Sequence, residues 1–145
     1  MIIKKENTRI SIVFLCYDET GRFLLGKRSK DCKDEPGKWD VGATDFNIRE
    51  SPIETLAKGV RDEFCYRLLK DDFLGQRSFY KMIGDTKTCL IGLDFKVLIG
   101  KIMERELELN KFEAIGFFSL DNLPPKKQLY SQLPIFLEKY KDRLR

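Results

Sequence analysis

The chain has 145 residues, 27 of them Lys or Arg and 23 Asp or Glu, giving a formal net charge of +4. With 42% hydrophobic and 34% charged residues it is too apolar for a disordered chain, and its length suits one domain over residues 1–145. It contains no histidine, which excludes Ser-His-Asp and Cys-His catalysis and every imidazole-dependent metal site.

Four cysteines without CxxC spacing argue against a disulfide framework or a structural zinc site. No apolar run reaches the ~18–20 residues needed to cross a bilayer, and the first residues lack a secretory leader, so a cytoplasmic protein is expected. Basic and acidic residues are interleaved. A nucleic-acid-binding stripe is therefore not expected, whereas the mild positive excess suits a phosphate-bearing small molecule.

In chain order, Ile10 to Tyr17 is almost continuously apolar and predicts a strand buried on both faces. Asp18-Glu19-Thr20-Gly21 signals a turn, and Arg22 to Arg28 predicts the second strand of a hairpin. Ser29 to Lys38 is a polar loop carrying Pro36-Gly37, followed by a short extended piece from Trp39 to Phe46. Ser51 to Leu68 predicts a helix: Ser51 and Glu54 have capping-box spacing and Pro52 sits at the first helical position. Ile53, Leu56, Ala57, Val60 and Phe64 form its apolar stripe. Strands follow at Phe73 to Met82, Thr86 to Ile99 and Phe112 to Ser119, with a loop or helical turn at Lys101 to Asn110. Leu129, Leu133, Phe136, Leu137 and Tyr140 predict a C-terminal amphipathic helix. Strands, helix, strands, helix point to an α/β fold, a mixed sheet flanked by helices.

On the first helix, Gly59, Asp62 and Glu63 are at i, i+3 and i+4 and share one patch. Two carboxylates there could hold Mg²⁺ or Mn²⁺ through oxygen ligands. On spacing alone they also read as an ordinary solvated edge beside Lys58 and Arg61. Glu50 reads as a structural acid at the helix start, where the dipole favours negative charge. Lys27, Arg28 and Lys38 could contact phosphates or simply be solvated, and Trp39 could stack on a base or enter the core. Glu113, on a late strand, is a candidate extra base or ligand.

Lys27-Arg28-Ser29, Pro36 to Thr44, and Glu50 to Glu63 resemble the Nudix family. That family's box runs Gly, five residues, Glu, seven residues, then Arg-Glu-aliphatic-x-Glu-Glu-x-Gly-aliphatic. With Glu50 as its first glutamate, Thr44 takes the first glycine, Lys58 the arginine and Gly59 the next glutamate. Asp62 and Glu63 take the paired glutamates, Cys65 the late glycine and Tyr66 the last apolar position. The tail Phe117 to Pro124 also resembles the family, and the likeness in element order spans nearly the whole chain.

The resemblance implies a Nudix-like α/β/α sandwich and a divalent-metal-dependent hydrolase that splits a nucleoside diphosphate derivative. Asp62 and Glu63 are then the metal ligands and catalytic residues, and Lys27, Arg28, Lys38, Trp39 and Lys58 the substrate contacts. Glu50, Ser51, Glu54 and Gly59 serve the motif structurally. Gly59 supplies no carboxylate and Lys58 no bidentate fork, so activity is expected to be attenuated. Two alternatives stand beside the enzyme. One is a non-catalytic nucleotide-binding or regulatory domain. The other is the related isopentenyl-diphosphate isomerase branch, whose cysteine after this strand is replaced by Val41 to Thr44 and whose histidine ligands this chain lacks. A small-molecule nucleotide or diphosphate is the expected partner, and a homodimer is a further expectation.

Overall fold

The computed structural model describes residues 5–102 and 111–144. Its first strand, β1 (Lys5–Tyr17), extends the apolar run backward by a polar lead-in. Ile12, Phe14 and Cys16 join one apolar cluster and Val13 and Leu15 another, so β1 is buried on both faces as its composition predicts. The second strand, β2 (Phe23–Arg28), pairs with β1 only at Tyr17↔Phe23. The expected hairpin thus exists as a turn alone. Its Asp18 carboxylate accepts from the Thr20 and Arg22 N–H groups at 2.9 and 3.1 Å. Farther along, β4 (Gly42–Asp45) pairs antiparallel with β1 from Ser11 to Phe14.

Along its other edge β1 runs parallel to β6 (Thr86–Ile102), from Lys5↔Thr86 to Tyr17↔Leu98. The antiparallel neighbour of β6 is β5 (Tyr66–Ile83), much longer than the expected Phe73 to Met82. On the opposite side, β2 pairs with β3 (Trp39–Asp40) and with β7 (Phe112–Phe118). The result is a seven-stranded mixed sheet, ordered β3-β2-β1-β6-β5, with β4 on β1 and β7 on β2. Lys101 and Ile102 complete β6 instead of opening a loop; residues 103–110 of that expected loop lie outside the described residues.

The first helix, α1 (Pro52–Phe64), begins where the cap predicts. Ser51 Oγ accepts from the Glu54 N–H at 3.1 Å, and Pro52 occupies the first turn. It stops four residues short of Leu68 because Cys65 turns left-handed (φ 60°) and donates its N–H to Arg61 O at 2.9 Å. Cys65 stands at the box's late glycine, where that backbone conformation ends the helix.

The buried stripe is rolled relative to expectation. Leu56, Val60 and Phe64 are fully buried, but Ile53 is 42% exposed and Ala57 is exposed; Thr55 and Gly59 are buried in their stead. The cause is close approach at Gly59. A Cβ there would stand 2.8 Å from Thr44 Cγ2 and 2.9 Å from Phe14 Cε1, so only glycine lets the helix backbone lie on β1 and β4.

The second helix, α2 (Leu133–Tyr140), is shorter than the Leu129 to Tyr140 pattern, because Leu129 is extended and bridges Trp39. Pro134 instead sets the first turn. Leu56, Val60 and Phe64 of α1 pack on one sheet face, and Leu133, Phe136, Leu137 and Tyr140 of α2 pack on the other. This is an α/β/α sandwich. Among the described residues no helix is long and apolar enough to cross a membrane.

Candidate active site

Glu63 lies in the last turn of α1 with its side chain only 11% exposed. Its Oε1 accepts from the Ala43 N–H at 3.3 Å. The Lys111 ammonium lies 3.4 Å from the same oxygen and donates to Ala43 O at 2.9 Å. Ala43, Glu63 and Lys111 therefore close a small ring at the start of β4. Lys111 is anchored there through its own carbonyl, which accepts from the Ser29 N–H at 3.0 Å, just before β7 pairs with β2. Burial pushes the Glu63 carboxyl up to about 7; Lys111 and the Ala43 N–H oppose this, and the Asp40 charge adds to it.

Ala43 and Lys111 also line a cavity of about 180 Å³ between the sheet and α2, walled by Val13, Phe79, Leu90 and Phe136. Asp40, buried at its rim, accepts from Arg28 Nη1 at 3.3 Å and from the Val41 N–H at 2.8 Å. Burial raises its carboxyl to about 6, against the pull of Lys111 and Arg28. The Arg28 guanidinium lies 4.6 Å over the Tyr130 ring and also reaches Cys32 Sγ and Asp34. Across the cavity, Arg77 of β5 grips the fully buried Asp94 of β6 through two bonds of 2.5 and 3.0 Å, and Tyr140 OH donates to the same carboxylate at 2.7 Å. Two guanidinium nitrogens here, Arg28 Nε and Arg77 Nη1, are buried without an acceptor. Buried donors are normally satisfied, so these two nitrogens, on residues that line one cavity, leave donor capacity the protein itself does not use.

The residues expected to bind substrate are mostly engaged elsewhere. Lys27 pairs with Glu113 at 3.5 Å, Lys38 donates to Lys127 O, and Lys58 pairs with Glu50 at 2.8 Å. Trp39 meets Phe118 edge-on at 5.2 Å and packs against the α2-side cluster. Only Arg28 reaches the cavity. Glu50 also accepts from Asn47 Nδ2, tying the loop to the helix start, and Ser51 Oγ donates to Glu54 Oε1 at 3.2 Å. Sequence reading missed Asp40, Arg77, Lys111 and Tyr130. Asp94, the partner that fixes Arg77, carried one signal: a charge inside an alternating apolar strand.

The expected pairing of Asp62 with Glu63 in one metal site is not the arrangement observed. Asp62 is 55% exposed and accepts from Arg61 Nε at 2.9 Å, while Glu63 turns inward to Ala43 and Lys111. Gly59, the third member of the patch, faces Thr44 and Phe14. Among the described residues no group of three or more Asp, Glu, Cys or His side chains could hold a metal ion. The two inward oxygens that a hard cation would use, Glu63 Oε1 and Ala43 O, are already bridged by an ammonium. Among the described residues, the side chains therefore do not make a preformed Mg²⁺ or Mn²⁺ site.

No protein-family model matches the chain, and no curated protein matches it by sequence. Solved structures do match in fold. A MutT NUDIX hydrolase from Burkholderia pseudomallei superposes with a TM-score of 0.73 at 21% identity, covering 91% of this chain and 97% of that one. The NUDIX hydrolase from Nitrosomonas europaea gives 0.75 at 15% identity, covering 95% and 91%. The NUDIX domain of a Shewanella oneidensis protein, complexed with ADP ribose, gives 0.67 at 14% identity, covering 98% and 90%. The chain has the Nudix fold.

Proposed function

We propose that the chain is a Nudix-type phosphohydrolase that splits the diphosphate linkage of a nucleoside diphosphate derivative, slowly because its box lacks one carboxylate. The observation that carries this reading is Glu63: an inward carboxyl on the box helix, raised to about 7, joined through Ala43 and Lys111 to a cavity that Arg28 and Arg77 also line. A base poised near neutrality suits proton removal from water at neutral pH. Water attacks one phosphorus and its proton passes to Glu63; the bridging P–O bond breaks and the departing phosphate keeps the electron pair. Arg28, Arg77 and Lys111 supply positive charge to the phosphate oxygens. At about 180 Å³ the cavity is smaller than the roughly 300 Å³ of a typical ligand pocket, so it takes one part of the ligand. Likeness to a domain complexed with ADP ribose supports a nucleotide-derived ligand.

A second reading, a non-catalytic nucleotide-binding domain, is favoured by Gly59 and by the ammonium bound to Glu63. The two part in one experiment. Nucleoside diphosphate sugars, dinucleoside polyphosphates, NADH and nucleoside triphosphates are assayed for phosphate or nucleotide release and, by calorimetry, for binding. Turnover that disappears in Glu63→Gln while binding persists supports the enzyme. Binding without turnover in the wild type supports the second reading, and turnover unchanged in Glu63→Gln defeats the role given to Glu63.

A further inference from the structure

We propose that the Lys111 ammonium is a built-in replacement for a divalent cation, so that this site takes a diphosphate without Mg²⁺ or Mn²⁺. The inference rests on the diphosphate ligand proposed above and concerns how that ligand is held.

Lys111 Nζ lies between Glu63 Oε1 (3.4 Å) and Ala43 O (2.9 Å), the pair of inward oxygens a hard cation would coordinate. An ammonium has three donors and no acceptor. One is donated to Ala43 O, the Glu63 carboxylate lies within ion-pair distance, and Lys111, 31% exposed and part of the cavity wall, keeps donor capacity for a ligand. Its position is built in, because the Lys111 carbonyl is held by the Ser29 N–H at 3.0 Å and Phe112 next to it is buried in β7.

The charges around the cavity point the same way. Each buried carboxylate already has a basic partner: Glu63 has Lys111, Asp40 has Arg28, and Asp94 has Arg77. What remains unmatched is donor capacity, at Arg28 Nε and Arg77 Nη1. Phosphate oxygens accept from such donors, whereas a metal cation cannot. The box position that lacks a carboxylate cannot supply one either, since a Cβ at Gly59 would already crowd Thr44 and Phe14.

The test titrates inorganic pyrophosphate and ADP ribose into the full chain by calorimetry, once with EDTA and once with Mn²⁺, and titrates Mn²⁺ alone. The expected result is equal affinity in the two buffers and no saturable binding of Mn²⁺. Lys111→Gln is expected to lose about tenfold in pyrophosphate affinity under EDTA, the size of a lost charge-assisted bond. Lys111→Glu, which sets a second carboxylate beside Glu63, is expected to gain saturable Mn²⁺ binding; thermal melts check that both variants fold. Pyrophosphate or ADP ribose binding that requires Mn²⁺, or micromolar Mn²⁺ binding by the wild type, overturns this inference and leaves the hydrolase reading standing. Absence of binding in both buffers overturns the two together.

Discussion

The two faces of the sheet are built on different principles. Against α1, Phe14, Leu56, Val60, Phe64 and Phe112 are fully buried, Phe64 stacks on Phe112 at 5.5 Å, and glycine removes the last side chain that would hold helix and sheet apart. Against α2, apolar residues share the space with Arg28, Asp40, Arg77, Asp94 and Tyr130, and a cavity remains. On the first face buried apolar groups meet closely, so shape decides. The second holds buried charges that are costly unless paired and, among the described residues, two unsatisfied guanidinium nitrogens, where α1 has one unsatisfied hydroxyl at Thr55. A face designed only to stay folded would resemble the first.

The largest expected effect falls on the charged face. Asp94→Ala leaves the Arg77 guanidinium buried without its carboxylate and the Tyr140 hydroxyl without its acceptor. A loss of about 3–5 kcal/mol in urea denaturation is expected, as for other broken buried pairs. A loss below about 1 kcal/mol would mean that water or rearrangement compensates and that the face is softer than its geometry implies.

Next comes pH. Glu63 and Asp40 are raised in the folded protein, from 4.5 to about 7 and from 3.8 to about 6. Between their ordinary and raised values the folded state binds more protons than the unfolded, so stability falls as pH rises through this window and levels off above pH 7. Asp18, Asp34 and Glu35 are lowered, and their contribution is lost only at more acid pH. Denaturation midpoints from pH 5 to 8 should decline. Glu63→Gln should remove its share of the decline, about 3 kcal/mol for an upward shift of this size. A wild-type midpoint that rises over that range contradicts the burial of both carboxyls.

How far each face could be read from sequence follows from the same contrast. The α1 face is written in local signals: a Ser51 cap, Pro52, and Leu56, Val60 and Phe64 at helical spacing. Even so, helical periodicity misplaced Ile53 and Ala57, because the roll of α1 is set by contact of Gly59 with Thr44 and Phe14, residues far away in the chain. The α2 face depends on pairs distant in sequence. Arg77 meets Asp94 across β5 and β6, Arg28 meets Asp40 across β2 and β3, and Lys111 reaches Glu63 and Ala43 from the start of β7. No spacing rule announces such pairs, so Lys111 went unread while Lys27, Lys38 and Lys58, nearer the motif, drew attention. The resemblance located the box helix, yet which carboxylate turns inward is decided by that roll.

Gly59→Ala probes the packed face directly. Alanine gains about 1 kcal/mol of helix propensity, but its methyl enters at 2.8 Å from Thr44 Cγ2 and 2.9 Å from Phe14 Cε1, and overpacking costs about 1–3 kcal/mol. A net loss of up to about 2 kcal/mol is expected by urea denaturation. A stabilised variant would show that α1 can lift from the sheet without penalty.

The smallest effect sharpens the contrast most. Ser51→Ala removes the oxygen that receives the Glu54 N–H and should cost about 1 kcal/mol. This cap stands at the exposed end of α1, twelve residues before Glu63, and it touches neither Lys111 nor either orphan guanidinium nitrogen. Pyrophosphate affinity should therefore be the same as in the wild type, although the variant unfolds at lower urea. If affinity drops together with stability, fraying at the N-terminus is transmitted along α1 to Glu63, and the two faces are not independent. An unchanged affinity leaves α1 as a rigid support, and assigns ligand binding to the charged pairs beneath α2.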